Sequence, residues 1–253
     1  MNDVTSLHWS RLRAHTPARI GLARAGTALS TRDQLAFQMA HAQAQDAVHG
    51  ALDVKAIIAG LTDRGMDALA LRSAAPDRAA YLQRPDLGRR LHADAKVTSD
   101  EPHDVAFVIA DGLSALAVQK HALPLFDEIF PALFTARWTI APVAVVEQGR
   151  VAIGDEIGAA LKAQLVVVLI GERPGLSSPD SLGVYITWEP RIGRTDAERN
   201  CISNVRPEGL SYTDAAARVM YLLTEARKRK LSGVMLKDET EAAPQITERH
   251  RRA

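Results

Sequence analysis

Residues 165–205 read LVVVLIGERPGLSSPDSLGVYITWEPRIGRTDAERNCISNV, and the fold is decided there. The stretch starts with the apolar run Leu165-Val166-Val167-Val168-Leu169-Ile170, cut off by Gly171-Glu172-Arg173-Pro174-Gly175. A short β-branched run stopped by glycine and proline predicts a strand buried on both faces. A second strand is expected over 184–188, and the only cysteine of the chain, Cys201, follows it. In open α/β sheets, a buried strand that runs into a polar, glycine-punctuated loop marks the edge where ligands sit.

Upstream the same pattern repeats. Residues 105–110 predict a strand, followed by Asp111-Gly112 and a helix from about 113 to 121, and the helical pattern extends or repeats over 123–134 around Pro124 and Pro131. Another strand is expected over 142–146, then Glu147-Gln148-Gly149-Arg150 and a helix over about 151–162. Alternating strands and helices imply βαβ crossovers and a parallel sheet. The expected class is α/β: a Rossmann-like, mostly parallel sheet flanked by helices, with a helical N-terminal part. In such a sheet the segments at Asp111, 147–151 and 171–175 converge on one edge.

The flanks are less regular. Residues 1–29 show no clean period and are expected to be an extended arm. Thr31 and Gln34 fit a capping box for a helix running to about Val48, with Leu35, Met39 and Ala42 on one face. Its other positions, His41 and several glutamines among them, are polar without strong charge, a surface suited to another protein or to water. Residues 53–72 read as a short helix broken at Gly60 and Gly65. Residues 77–91 gather Arg78, Arg84, Arg89 and Arg90, either as local surface ion pairs or as a surface for a partner or an anionic group. After residue 205 a long helix is expected over 212–230, capped by Ser211, with Ala216, Val219, Met220, Leu223 and Ala226 inward and Gly233 closing it. Val234-Met235-Leu236 would add a strand. The organisation is therefore an arm (1–29), a helical region (30–100), a Rossmann-like unit (101–236) and a flexible charged tail (237–253).

Composition narrows the function. Apolar residues make up 47% and aromatics 5%, so the core must be aliphatic. The 31 basic and 30 acidic side chains leave a net charge of +1, which gives no field to draw in nucleic acid. One cysteine cannot form an internal disulfide, and no apolar stretch approaches the roughly 20 residues needed to span a bilayer. With no secretory signal read at the N-terminus either, a soluble intracellular protein is expected. The dinucleotide fingerprint G-x-G-x-x-G, the P-loop and the G-x-S-x-G elbow are all absent. His41 and His49 share a helix face but have no acidic partner to complete a metal site. Cys201 would ordinarily be a small buried hydrophobe, for although Arg199 and Arg206 could activate its thiol, no base lies nearby in sequence. Asp111 and Glu172 suit ligand contacts better than an acid/base pair. The residues alone describe an α/β module that binds a ligand at one sheet edge, or a self-sufficient α/β enzyme using Asp111 or Glu172 on a small metabolite.

Several segments, in order, resemble the light subunit of ethanolamine ammonia-lyase: DRAAYLQRPDLGRRL (77–91), VIADGLSA (108–115), GRVA (149–152), GERPGL (171–176) and RNCISN (199–204). The resemblance spans roughly residues 17–236. It implies a heavy-subunit partner whose TIM barrel carries the substrate site, in a higher hetero-oligomer, and the adenosylcobalamin-dependent conversion of ethanolamine to acetaldehyde and ammonia. It carries the cofactor contacts to Val151, Glu172 and Cys201, each inside a matching motif, with none of them catalytic. The lower-ligand motif D-x-H-x-x-G is absent, so the resemblance implies a cofactor that keeps its own dimethylbenzimidazole beneath cobalt. It also implies a cytoplasmic location, free or inside a bacterial microcompartment. Two departures stand out: a short N-terminal extension, in a region that bears on solubility and delivery in this family, and a looser Ala74-Ala75-Pro76 turn.

Overall fold

The computed structural model describes residues 3–240, apart from 17 and 23. A six-stranded sheet is its centre, in the spatial order β3-β5-β4-β6-β7-β8. Strands β3 (Ala68–Arg72), β4 (His103–Ala110), β5 (Val143–Glu147) and β6 (Ala163–Gly171) run parallel. Strands β7 (Leu182–Trp188) and β8 (Arg199–Val205) extend the sheet antiparallel beyond β6. Five alternating residues of the quoted apolar run show why it reads as a central strand. Leu165, Val167 and Leu169 face the core beneath the long helices, while Val166 and Val168 face the opposite one.

Each face has its own helices. Helix α5 (Ala115–Thr135) and helix α7 (Tyr212–Arg229) cover the first face, with α3 (Val54–Thr62) beside them. Phe107 of β4 meets Phe126 of α5 edge-on at 5.3 Å between ring centroids. The second face is covered by α6 (Ile153–Ala160), whose Ile153 and Ile157 pack on Val108, Val166 and Val168. Burying a side chain of that size contributes roughly 1.5–3 kcal/mol. α6 is tied to the antiparallel hairpin by a buried fork: Arg199 Nη1 and Nη2 each donate to Asp155 at 2.6 Å, and Nη1 also donates to Thr187 Oγ1 at 3.1 Å. Both charged side chains are only 2–3% exposed.

Several expectations need correction. The segment read as an arm contains α1 (Asp3–Arg13) and a short hairpin of β1 (Arg24–Ala25) and β2 (Ala28–Leu29). Helix α2 (Thr31–His49) starts one residue earlier than the capping box implied: Ser30 is its cap, accepting from Asp33 N at 3.2 Å. Residues 53–72 are not one broken helix. Asp53 caps α3, Gly65 turns the chain at φ +73°, and β3 then pairs with β5. The helical pattern expected from about 113 extends, rather than repeats, through Pro124 and Pro131 as the single helix α5, which begins at Ala115. β8 was not expected as a strand at all. In α7, Leu222 is buried with the predicted inward residues while Met220 is only partly covered, and the helix ends at the left-handed Lys230 rather than at Gly233. Residues 233–235 form a 3₁₀ turn, not a strand. The predicted tail from Lys237 lies mostly outside the described residues. Among those described, no helix is long and apolar enough to cross a membrane.

The Arg199–Asp155 pair yields a stability prediction. Removing either partner leaves a buried charge unmatched, so Asp155→Ala or Arg199→Ala should each cost about 3–5 kcal/mol in urea unfolding. The double variant should lose much less than the sum of the two. Additive losses would show that the two side chains act independently.

Candidate functional site

The three strand-end segments do converge, and a buried carboxylate holds them. Asp111, at the end of β4, is 1% exposed and accepts N–H bonds from Gln148 and Gly149, both at 3.0 Å, in the turn after β5. The turn after β6 joins through Leu113 N–H, which donates to Gly171 O at 2.9 Å. Gly112 is required there twice over: its φ is +55°, and any Cβ would strike the Gly171 carbonyl.

The short helix α4 (Arg78–Gln83) supplies the supports. Arg78 Nη1 donates to Asp111 Oδ2 at 3.3 Å, to Gly112 O at 2.9 Å and to Gln148 Oε1 at 3.3 Å, while Nε reaches Val48 O, near the end of α2, at 2.6 Å. Tyr81 is fully buried and donates its hydroxyl to Gly149 O at 3.0 Å. Two guanidiniums lie on its ring, Arg78 at 4.7 Å and Arg150 at 4.2 Å from the centroid. The arginine cluster of 77–91 therefore divides. Arg78 turns inward as a brace, and Arg84 pairs with Asp86 in the exposed turn at 2.8 Å.

Above this floor opens a cleft of about 540 Å³. Leu113, Val151, Ile170 and Tyr185 give it apolar walls, and Arg150, Glu172, Arg173 and Ser203 give it polar ones. Two of the three candidate contacts, Val151 and Glu172, line it. Cys201 does not line it but adjoins it, opposite Tyr185 in the β7–β8 register and with Sγ 3.3 Å from Ser203 Oγ. Contrary to the expectation of a small buried hydrophobe, Cys201 is exposed. α6 reaches the hairpin only as far as Arg199, which leaves this end of the second face without a helix. Burial and the adjacent Cys201 raise the Tyr185 phenol above its ordinary pKa.

Glu172 is partly committed. Its Oε2 accepts from Ser181 Oγ and from Asn204 N at 3.2 Å, which links the loop after β6 to β8. Among the described residues Oε1 accepts no hydrogen bond, and Glu172 is half-buried at the cleft wall. Asp111 is different: it faces inward and both of its oxygens are engaged, which removes it as a ligand contact. Sequence reading could not separate these two carboxylates, nor single out Tyr81, Tyr185 and Ser203. No histidine lines the cleft, and among the described residues no group of three or more His, Cys, Asp or Glu could hold a metal ion. The arrangement can bind and orient a ligand that combines apolar surface with hydrogen-bonding groups.

Burial pushes Asp111 up to about 6, against the pull of the Gln148 amide and of Arg78. The folded chain thus keeps this proton to higher pH than the unfolded chain, which releases it near pH 4. Stability due to Asp111 is greatest below about pH 4, falls as pH rises towards 6, and levels off above. Denaturation midpoints measured from pH 4 to 7 should show this decline, and Asp111→Asn should flatten it. An unchanged slope in the variant would assign the decline to another group.

A family model described as ethanolamine ammonia-lyase light chain (EutC) matches residues 6–237. The ethanolamine ammonia-lyase small subunit of Azotobacter vinelandii is 60% identical over 249 residues, covering 96% of this chain and 92% of that protein. The small subunit of Pseudomonas aeruginosa is also 60% identical, over 241 residues, covering 92% of this chain and 88% of that protein. That of Xanthomonas campestris pv. campestris is 58% identical over 240 residues, with the same coverage of 92% and 88%.

Proposed function

The chain belongs to the ethanolamine ammonia-lyase light-chain family, and from that premise we propose that its strand-end cleft holds one flank of adenosylcobalamin against a heavy subunit. The heavy subunit carries the substrate site and covers the rest of the cofactor. One observation carries this reading: the cleft sets the Glu172 carboxylate beside the apolar walls of Leu113, Val151 and Ile170, groups that bind and orient, as befits a subunit that positions a cofactor whose own chemistry is the hard step. When bound, the cofactor supplies the radical, by cobalt–carbon homolysis, that converts ethanolamine to acetaldehyde and ammonia.

The residues present fit such a group. A corrinoid has an apolar ring edge fringed with amide arms, and the cleft pairs the apolar Leu113, Val151 and Ile170 with a carboxylate oxygen that has no partner among the described residues. Glu172 Oε1 accepts hydrogen bonds from amide N–H groups, Val151 gives apolar contact at the turn into α6, and Cys201 packs at the ring periphery. A pocket near 540 Å³ encloses a ligand of ordinary drug size. A corrinoid is larger, which supports the need for a second subunit.

In this reading residues 101–236, completed by β3 and α4 from the region before them, face the cofactor, and α2 offers the partner surface. α2 supports this with Leu35 59% and Met39 61% exposed, which is unusual for large apolar side chains on a helix whose buried residues are only Ala40 and Ala47. Co-expression with the heavy subunit should yield a complex that releases acetaldehyde from ethanolamine only when adenosylcobalamin is added. The double variant Leu35→Asp/Met39→Asp should lower recovery of that complex. A chain that stays alone and leaves the heavy subunit inactive would overturn the subunit reading.

Within the assembled complex, Glu172→Ala should weaken adenosylcobalamin binding by roughly 1–3 kcal/mol, the cost of one lost buried acceptor. Glu172→Gln, which keeps an acceptor oxygen, should lose less. Equal affinity in wild type and Glu172→Ala, measured by spectral titration, would remove Glu172 from the site.

A further inference from the structure

We propose that Arg150 is an anion-binding residue of the cleft and that, within the cobalamin reading on which this rests, its ligand is the phosphodiester of the cofactor's nucleotide loop. The argument begins with what Arg150 lacks. Its Nε is buried with no hydrogen-bond partner. Among the described residues its guanidinium forms no ion pair, and its one hydrogen bond from the side chain runs from Nη2 to the carbonyl of Tyr81 at 3.3 Å. Arg78 Nη2 is likewise buried without a partner, but Arg78, Arg199 and Arg194 each face a carboxylate, Asp111, Asp155 and Glu198, so what sets Arg150 apart is the lack of a counter-charge. A buried guanidinium N–H without an acceptor costs free energy unless a ligand supplies one.

Arg150 is also held in place, which separates it from a loose surface arginine. Its backbone N–H donates to Gly88 O at 2.7 Å, and its planar head lies 4.2 Å from the centroid of the Tyr81 ring. Gly88 leaves room for the stem, because a Cβ at that position would lie 2.7 Å from Arg150 Cγ. The fork is therefore fixed before any ligand arrives, and little rotamer entropy is lost on binding.

Charge then narrows the ligand group. Among the described residues, Arg150 and Arg173 both line the cleft and Glu172 is the only acidic side chain lining it, so that lining is positive by one charge. The amide arms of a corrinoid are neutral. Its phosphodiester is a peripheral anion, whose two non-bridging oxygens on tetrahedral phosphorus a guanidinium fork can meet in two parallel bonds. Glu172 and Arg150 thus divide the work: the carboxylate takes amide donors and the guanidinium takes the phosphate.

The test compares corrinoids with and without the phosphate on the co-purified heavy–light complex. Spectral titration would follow adenosylcobalamin, the phosphate ester of adenosylcobinamide, and adenosylcobinamide itself, which lacks the nucleotide loop. Arg150→Ala should weaken the two phosphate-bearing ligands about tenfold to a hundredfold, the range of a charged hydrogen bond. It should change adenosylcobinamide by less than about twofold, and Arg150→Lys should recover part of the loss. If Arg150→Ala fails to assemble, Arg150→Gln makes the same comparison while keeping an amide donor. Equal losses for all three ligands, or no loss for any, would overturn the phosphate assignment and leave Arg150 as packing on Tyr81. A wild-type complex that binds none of the three would instead overturn the cofactor reading, and this proposal with it.

Discussion

The cleft depends on the buried carboxylate of Asp111. A charged group at 1% exposure is costly, and here the cost is offset by two backbone N–H bonds and a guanidinium. Those bonds fix the turn after β5 against the end of β4. They also hold Gln148 in a left-handed conformation, φ +57°, which a non-glycine residue adopts at a cost. Arg78 extends the same constraint outwards, since its Nε reaches Val48 near the end of α2. α2 and the strand-end edge of the sheet are therefore linked by this guanidinium. A partner docking on α2 would bear on the cleft floor through that contact.

The rest of the cleft comes from topology. Parallel strands require long crossovers, and those crossovers supply α5 on one face and α6 on the other. β6 and β7 run antiparallel, so a loop joins them and no helix is added over the second face. α6 meets the hairpin through the Asp155–Arg199 fork in its first turn, and Tyr185, Cys201 and Ser203 are left beside it as an open wall. The change from parallel to antiparallel pairing thus decides where the second face stays uncovered.

The same topology explains what could be read from sequence. β4 and β6 are central, apolar on both faces and bounded by glycine, so their signal is strong. β3 and β8 are the two edges. β3 is half exposed, and β8 reads RNCISNV because one side meets solvent and the guanidinium of Arg199 fills a place usually taken by an apolar side chain. β8 is polar and so carries little period-2 contrast, while β3, Ala-Leu-Ala-Leu-Arg, alternates only small and large apolar residues, a pattern that also suits a helix. Val151 and Glu172 were legible as neighbours because strand ends in a parallel sheet share an edge. The inward turn of Asp111 was not, since it depends on amide groups 37 and 38 residues away pointing at one carboxylate.

Arginine shows the limit most clearly. Arg78, Arg150 and Arg199 look alike in sequence, yet each meets a different counter-group. Arg199 has a carboxylate of its own, and Arg78 shares one with two amides. Arg150 has an aromatic face and a single carbonyl. An aromatic quadrupole steadies a cation but cannot accept a guanidinium N–H in its plane. The acceptor missing at Arg150 is thus a consequence of using Tyr81 as its support. Tyr81 in turn is pinned by Gly149 O, in the turn that Asp111 holds. The constraint that builds the floor of the cleft is therefore the one that presents its unmatched cation.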